Sequence, residues 1–180
     1  MIKLKVAGSL LFFIALVYLF VGCQPDEAPV PEEQKVLFEA YSINFAWGKQ
    51  HGGFIIDKNG SIRVFKNPAK WNFPNKDNEL SAEEMAENLN NSALSSTSLP
   101  VQEVREYASK IYTVDPNKLS ERVSEGADRG ARVVLMYRYS PSSKTYQQVI
   151  LSETGDWNAE NSDRHAKQIR EWLQGIGKSL

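Results

Sequence analysis

Nine consecutive residues constrain this fold more than any other segment. From Ala131 to Tyr139, Ala131, Val133, Leu135, Tyr137 and Tyr139 fall on one face, and Arg132, Val134, Met136 and Arg138 on the other. A strict period of two in a β-branched and aromatic run is the signature of a strand with one face turned to a core. Ser140-Pro141-Ser142-Ser143-Lys144 then turns the chain, and Thr145 to Ser152 supplies an antiparallel partner. Further upstream, Val36 to Trp47 reads as a strand, with Leu37, Tyr41, Ile43, Phe45 and Trp47 on one face and the alternation interrupted only by Glu39. Phe54-Ile55-Ile56 and Ser61 to Phe65 flank Asp57-Lys58-Asn59-Gly60, which predicts a β-hairpin with Asn-Gly at its tip. Asn67-Pro68 closes that sheet segment.

Four helices are expected. Ser81-Ala82-Glu83-Glu84 is a capping box, flanked by Leu80 and Met85 where a hydrophobic staple belongs. A Ser/Thr-rich loop over Ser95 to Ser98 separates it from a second helix, Pro100 to about Ile111, with Val101, Val104, Ala108 and Ile111 on one side. Asp115-Pro116 opens a third that buries Leu119 and Val123 and stops at Gly126. The last runs from about Asp163 to Gln174, turns Ile169, Trp172, Leu173 and Ile176 inward, and ends at Gly175 or Gly177. The expected architecture is therefore α+β: an antiparallel sheet of about five strands and about four helices, mainly on one face.

The N-terminus reads as an address. Lys3 and Lys5 precede an apolar run from Val6 to Val21, and Phe20-Val21-Gly22-Cys23 follows. A basic start, an apolar centre and a small residue before the cut form a secretory signal. The ending resembles the lipobox of bacterial lipoproteins, with Phe20 where leucine is usual. That resemblance implies cleavage after residue 22, lipidation of Cys23 by acyl chains, and a membrane partner reached through that lipid. An uncleaved membrane helix is the alternative, but the run falls short of the roughly 20 residues a span needs. Gln24 to Glu33 holds three prolines and four acids, a composition that favours an extended tether over a packed core. The domains expected are thus a signal peptide, 1–22, a lipidated tether, 23–34, and one folded domain, 35–180. No Asp follows Cys23, and Gln24 leads into Asp26 and Glu27. Both features resemble those of lipoproteins sent to the outer membrane, some of them to its outer surface.

Charge excludes one large class of function. The chain carries 21 basic and 22 acidic residues, and losing Lys3 and Lys5 leaves 19 against 22, a net charge of −3. A nucleic-acid binder shows a basic excess or stripe, and this sequence has neither. The lone Cys23 can form neither an internal disulfide nor a thiolate metal site.

No catalytic, metal or cofactor motif emerges. Only His51 and His165 could serve as imidazole bases, and neither stands in a nucleophile, phosphate-loop or zinc motif. Asp57-x-Asn59 begins like a calcium loop, but Pro68 takes the place of the closing glutamate. The polar candidates for a binding rim are His51, read in a glycine-rich hairpin loop, and Asp57 in the turn that follows. Asp156, Trp157 and Asn158 could together stack and hydrogen-bond a sugar, with Trp47 and Trp71 extending the surface. Tryptophans that simply fill the core are the competing account. The segments Gly52 to Asp57 and Gly155 to Asn158 resemble those of small bacterial lipoprotein domains of unassigned function, a resemblance that brings no catalytic residue with it. The expectation is a membrane-anchored envelope lipoprotein with a non-enzymatic domain for a protein or glycan partner. A small metal-independent enzyme acting on envelope glycan or peptide is one alternative. An inhibitor of a lytic enzyme, presenting Ser92 to Ser98 or Ser140 to Lys144 as a loop, is another.

Overall fold

The computed structural model describes residues 29–46 and 48–180; the signal, Cys23 and Trp47 lie outside the described residues. Its frame is the pair of long strands that the alternation announces, β7 (Ala131–Ser140) and β8 (Thr145–Gly155). β1 (Val36–Asn44) pairs antiparallel with β7, and the hairpin of β2 (Gln50–Asp57) and β3 (Ser61–Lys66) continues the sheet from β1. At the hairpin tip Asp57 Oδ1 accepts from the Asn59 and Ser61 amides. Gly60 there has φ +82°, and a Cβ on it would stand 2.3 Å from the Leu99 carbonyl oxygen. The turn therefore requires glycine.

The count of elements corrects the expectation. Among the described residues there are nine strands and three α-helices, and the fold is mostly β. The extra strands are short. β4 (Glu79–Ser81) and β9 (Trp157–Glu160) both pair with β8, which at eleven residues takes one on its first half and the other on its last. β6 (Val123–Ser124) extends β9. The Ser/Thr-rich segment is no loop but β5 (Ala93–Ser98), the edge strand beside β3. It is largely exposed on both faces, so burial imposes no alternation on it.

The third predicted helix does not form. Asp115 caps only a 3-10 turn, Pro116–Lys118, and the chain then extends into β6 with Val123 exposed. Two apolar residues four apart give a helix too little to bury, and marginal helices depend on tertiary packing. The remaining helices are α1 (Ala82–Asn90), α2 (Val101–Ala108) and α3 (Arg164–Gly177). α2 stops short of Ile111, and α3 runs past Gln174 to include both glycines. The capping box at Ser81 forms, and Asp163 caps α3 through the His165 amide.

Nor do the helices collect on one face. α2 and α3 cover one side, the helical face, over Phe38, Ile56, Ile62, Met136 and Leu151. α1 and the chain from Asn67 to Asn78 cover the other, the loop face, over Ile55, Phe65, Leu135, Tyr137 and Tyr146. Register shifts beside Val36 in β1 and at Val134/Leu135 of β7 against β8 decide the sides. The first sends Leu37 to the helical face, away from Tyr41. Packing begins within the tether: Val30 leans on the helical core. Gln34 is fully buried and donates to the Val36 and Tyr137 carbonyls. Among the described residues no helix is long and apolar enough to cross a membrane.

Candidate functional site

Strand register determines which of the singled-out residues can meet. His51 lies inside β2 and is buried, so the loop ends before it. Asn67, at φ +48°, clamps its backbone: the Asn67 amide donates to the His51 carbonyl and the Asn67 side chain accepts from the His51 amide. The imidazole is packed among Tyr41, Phe65, Trp71 and Phe73, with ring centroids 5.0–5.5 Å away. Among the described residues neither ring nitrogen has a hydrogen-bond partner. Burial, followed by the nearby Lys49 charge, pushes the His51 pKa down to about 4, so this histidine is neutral at physiological pH.

Asp57 ends the same strand six residues away, about 20 Å at the usual rise per residue. Its carboxylate is occupied by the hairpin turn. Asp156 follows Gly155, which aligns with Ala131, then Ile43, then His51 across three strand spacings, about 14 Å. Its Oδ1 accepts from the Arg129 amide, and Asn158 Oδ1 accepts from the Gly155 amide. Trp157 is partly exposed, but the Arg122 guanidinium lies over its ring at 5.2 Å and pairs with Glu153 at 2.6 Å. The three residues form one turn, while His51 and Asp57 stand apart from it and from each other. Trp71 stacks on Phe65 at 4.0 Å as part of the loop-face core. His165 Nδ1 lies 2.6 Å from Thr113 Oγ1, at the start of α3.

Sequence reasoning passed over two features. The first is Glu39, which reads as a break in the alternation and is buried on the loop face. Tyr137 donates to its Oε2 at 2.5 Å, while Oε1 has no partner. Burial outweighs that hydrogen bond and pushes the Glu39 pKa up to about 7. The phenols of Tyr41 and Tyr137 are driven upward by burial and then by the Glu39 charge.

The second is a trench of about 680 Å³ on the helical face, beside the last turn of α3. Two rows of residues cross the sheet here. Val64, Phe54, Ala40, Val134 and Ser152 are aligned on β3, β2, β1, β7 and β8. Two residues further along, Lys66, Gly52, Ser42, Arg132 and Thr154 are aligned on the same strands. Each row spans four strand spacings, about 19 Å. The trench exists because the central positions are small: Ala40, Ser42 and Gly52 stand where Phe38, Ile56 and Met136 fill the covered part of the same face. Leu173 and Gly177 of α3, with Lys178 just beyond its end, form the wall. A Cβ at Gly177 would come within 3.3 Å of Phe54, so that glycine lets the helix end settle against the ring. Small face residues in neighbouring strands are the only sequence signal of the trench, and they become readable only once the register is known. The chain finds no match among protein-family models, curated proteins or solved structures.

Proposed function

We propose that this is a lipid-anchored envelope protein, attached at the outer membrane through Cys23, whose domain captures a partner and does not transform one. One observation carries the binding reading: an open concavity, built by aligned small residues, whose volume falls in the range of small-ligand sites. The polar residues that a catalytic reading would recruit support it too. Asp57, Asp156 and Asn158 serve turns, and His51 sits sealed among aromatic rings.

Two measurements test the two halves. Metabolic labelling with an alkyne fatty acid is expected to mark the wild type and leave Cys23→Ala unmarked; an unlabelled wild type would remove the anchor. Hydrogen exchange on the full-length protein in its membrane, with and without envelope extract, is expected to show protection at β1, β7 and the end of α3. That protection should vanish in Ser42→Leu, which fills the trench. Protection confined to other surfaces would overturn the assignment of the site.

A further inference from the structure

We infer that the trench takes an anionic amphiphile, its acidic head at Arg132 and Lys178 and its apolar body along the Phe54–Ala40–Val134 row. This deepens the binding reading above and rests on it. The two rows divide the labour. The inner row is apolar from Val64 to Val134, ending at Ser152, and α3 adds Leu173 to it. The outer row is polar: Ser42 and Thr154 offer hydroxyls, and Lys66 and Arg132 carry positive charge.

Charge complementarity selects the head group. Arg132 and Lys178 line the trench together with Leu180, the last residue of the chain, and no carboxylate side chain does. Among the described residues Arg132 enters no ion pair, whereas Arg122 and Arg170 are each taken by a glutamate. The acid aligned beyond Ser152 on the inner row, Glu160, is the one held by Arg170 at 2.6 Å. The loop face has the opposite character: Glu39 and Glu153 lie there, with Tyr41 feeling both charges. A guanidinium with free donors and an ammonium lining one trench suit a carboxylate or a phosphate. The apolar row beside them removes a hydrocarbon body from water, at about 0.8 kcal/mol per buried methylene. A polar sugar would leave that row uncovered, and a cationic head would meet like charge at Arg132 and Lys178.

The test is photolabelling of the full-length protein in its membrane by a diazirine-bearing dodecanoate, with crosslinks mapped by peptide mass spectrometry. Labelling is expected on β1, β7 and the last turn of α3. It should fall about tenfold when Arg132→Gln removes a charge-assisted contact, and be retained in Arg132→Lys. Ser42→Leu should abolish it, while circular dichroism confirms that both variants are folded. A dodecanol analogue that labels the trench as strongly as the acid would overturn the anionic head and leave the binding reading standing. An acid that fails to label a trench still protected by envelope extract would overturn the amphiphile alone. Labelling that survives Ser42→Leu would show adsorption elsewhere and overturn the site.

Discussion

The two faces of this sheet are buried by different chemistry. On the helical face, α2, the turn that follows it and α3 bring Val104, Ile111, Ile169, Leu173 and Ile176 onto Phe38, Ile56 and Met136. Apolar stripes meet an apolar surface there, and the last turn of α3 leaves the trench beside it uncovered. The loop face has one nine-residue helix and a segment without regular structure, so aromatic rings do the covering: Trp71 and Phe73 close over Phe65 and His51. Polar groups are buried along with the rings: burial holds His51 neutral and favours the protonated Glu39 carboxyl, while Glu153 pairs with Arg122. The difference teaches that one sheet can hold a dry apolar core on one side and a titratable one on the other.

The sharpest way to break the comparison is to cut matching rings. Phe38 is fully buried, with its edge to Trp172 at 5.2 Å. Phe38→Ala is expected to cost about 3–5 kcal/mol in urea denaturation, the range for a rigidly walled cavity. Phe65→Ala on the loop face should cost less, because the segment carrying Trp71 can settle into the gap. Equal losses would mean that both faces are equally rigid.

The next effect distinguishes the faces by pH. Glu39 is pushed from an ordinary 4.5 to about 7, so the folded state holds its proton longer than the unfolded chain does. Stability therefore falls as pH rises from about 4.5 through 7, by about 3 kcal/mol in all. His51 works in the opposite sense. Its pKa drops from 6.5 to about 4, so the unfolded chain binds the proton first and stability falls as pH is lowered through that window, again by about 3 kcal/mol. Between about pH 4.5 and 6.5 the two slopes oppose each other, and the wild type should be nearly flat. Glu39→Gln keeps an acceptor for Tyr137 and should make stability rise with pH over that window, while His51→Phe should make it fall. Parallel curves for the two variants would show that these groups do not titrate as their burial demands.

A third, smaller effect belongs to the loop face alone. Ser81→Ala removes the side-chain half of the capping box, and about 1 kcal/mol is expected. Hydrogen exchange should quicken in α1 and leave α2 and α3 unchanged. Faster exchange in all three would show that the two covers unfold as one unit.

What the sequence made legible follows from how each element is held. β7, β8 and the Asp57–Gly60 hairpin could be read because a buried face enforces alternation and a left-handed turn residue requires glycine. Ser81 could be read because a capping box is a pair of local hydrogen bonds. β4, β6 and β9 have two to four residues each, and they exist through distant partners that no short window contains. Leu119 and Val123 sit at helical spacing, and pairing with β9 overrides it. The placement of His51 was hidden in the same way. His51 looked like a loop residue because two glycines follow it, yet those glycines are strand positions. Gly53 in particular lies so close to β1 that a Cβ would approach the Ala40 carbonyl oxygen to 2.2 Å. Glu39 looked like an interruption when it was the most informative residue of its strand.

The smallest expected effect is the one that sharpens the comparison most. Ser42 is exposed on the helical face, aligned with Gly52 on one side and Arg132 on the other. Leucine at this position would hang into solvent-filled space and meet Phe54 and Val134 across the trench, without displacing a packed neighbour. Surface substitutions of that kind usually change stability by no more than about 0.5 kcal/mol. A urea midpoint equal to the wild type would show that the trench is open in the native state, so that loss of labelling in the same variant reports a filled site and not a damaged fold. A loss of several kcal/mol would mean that the two rows are already closed over one another. The helical face would then be dry along its whole length, and neither face would offer the ligand a place to bind.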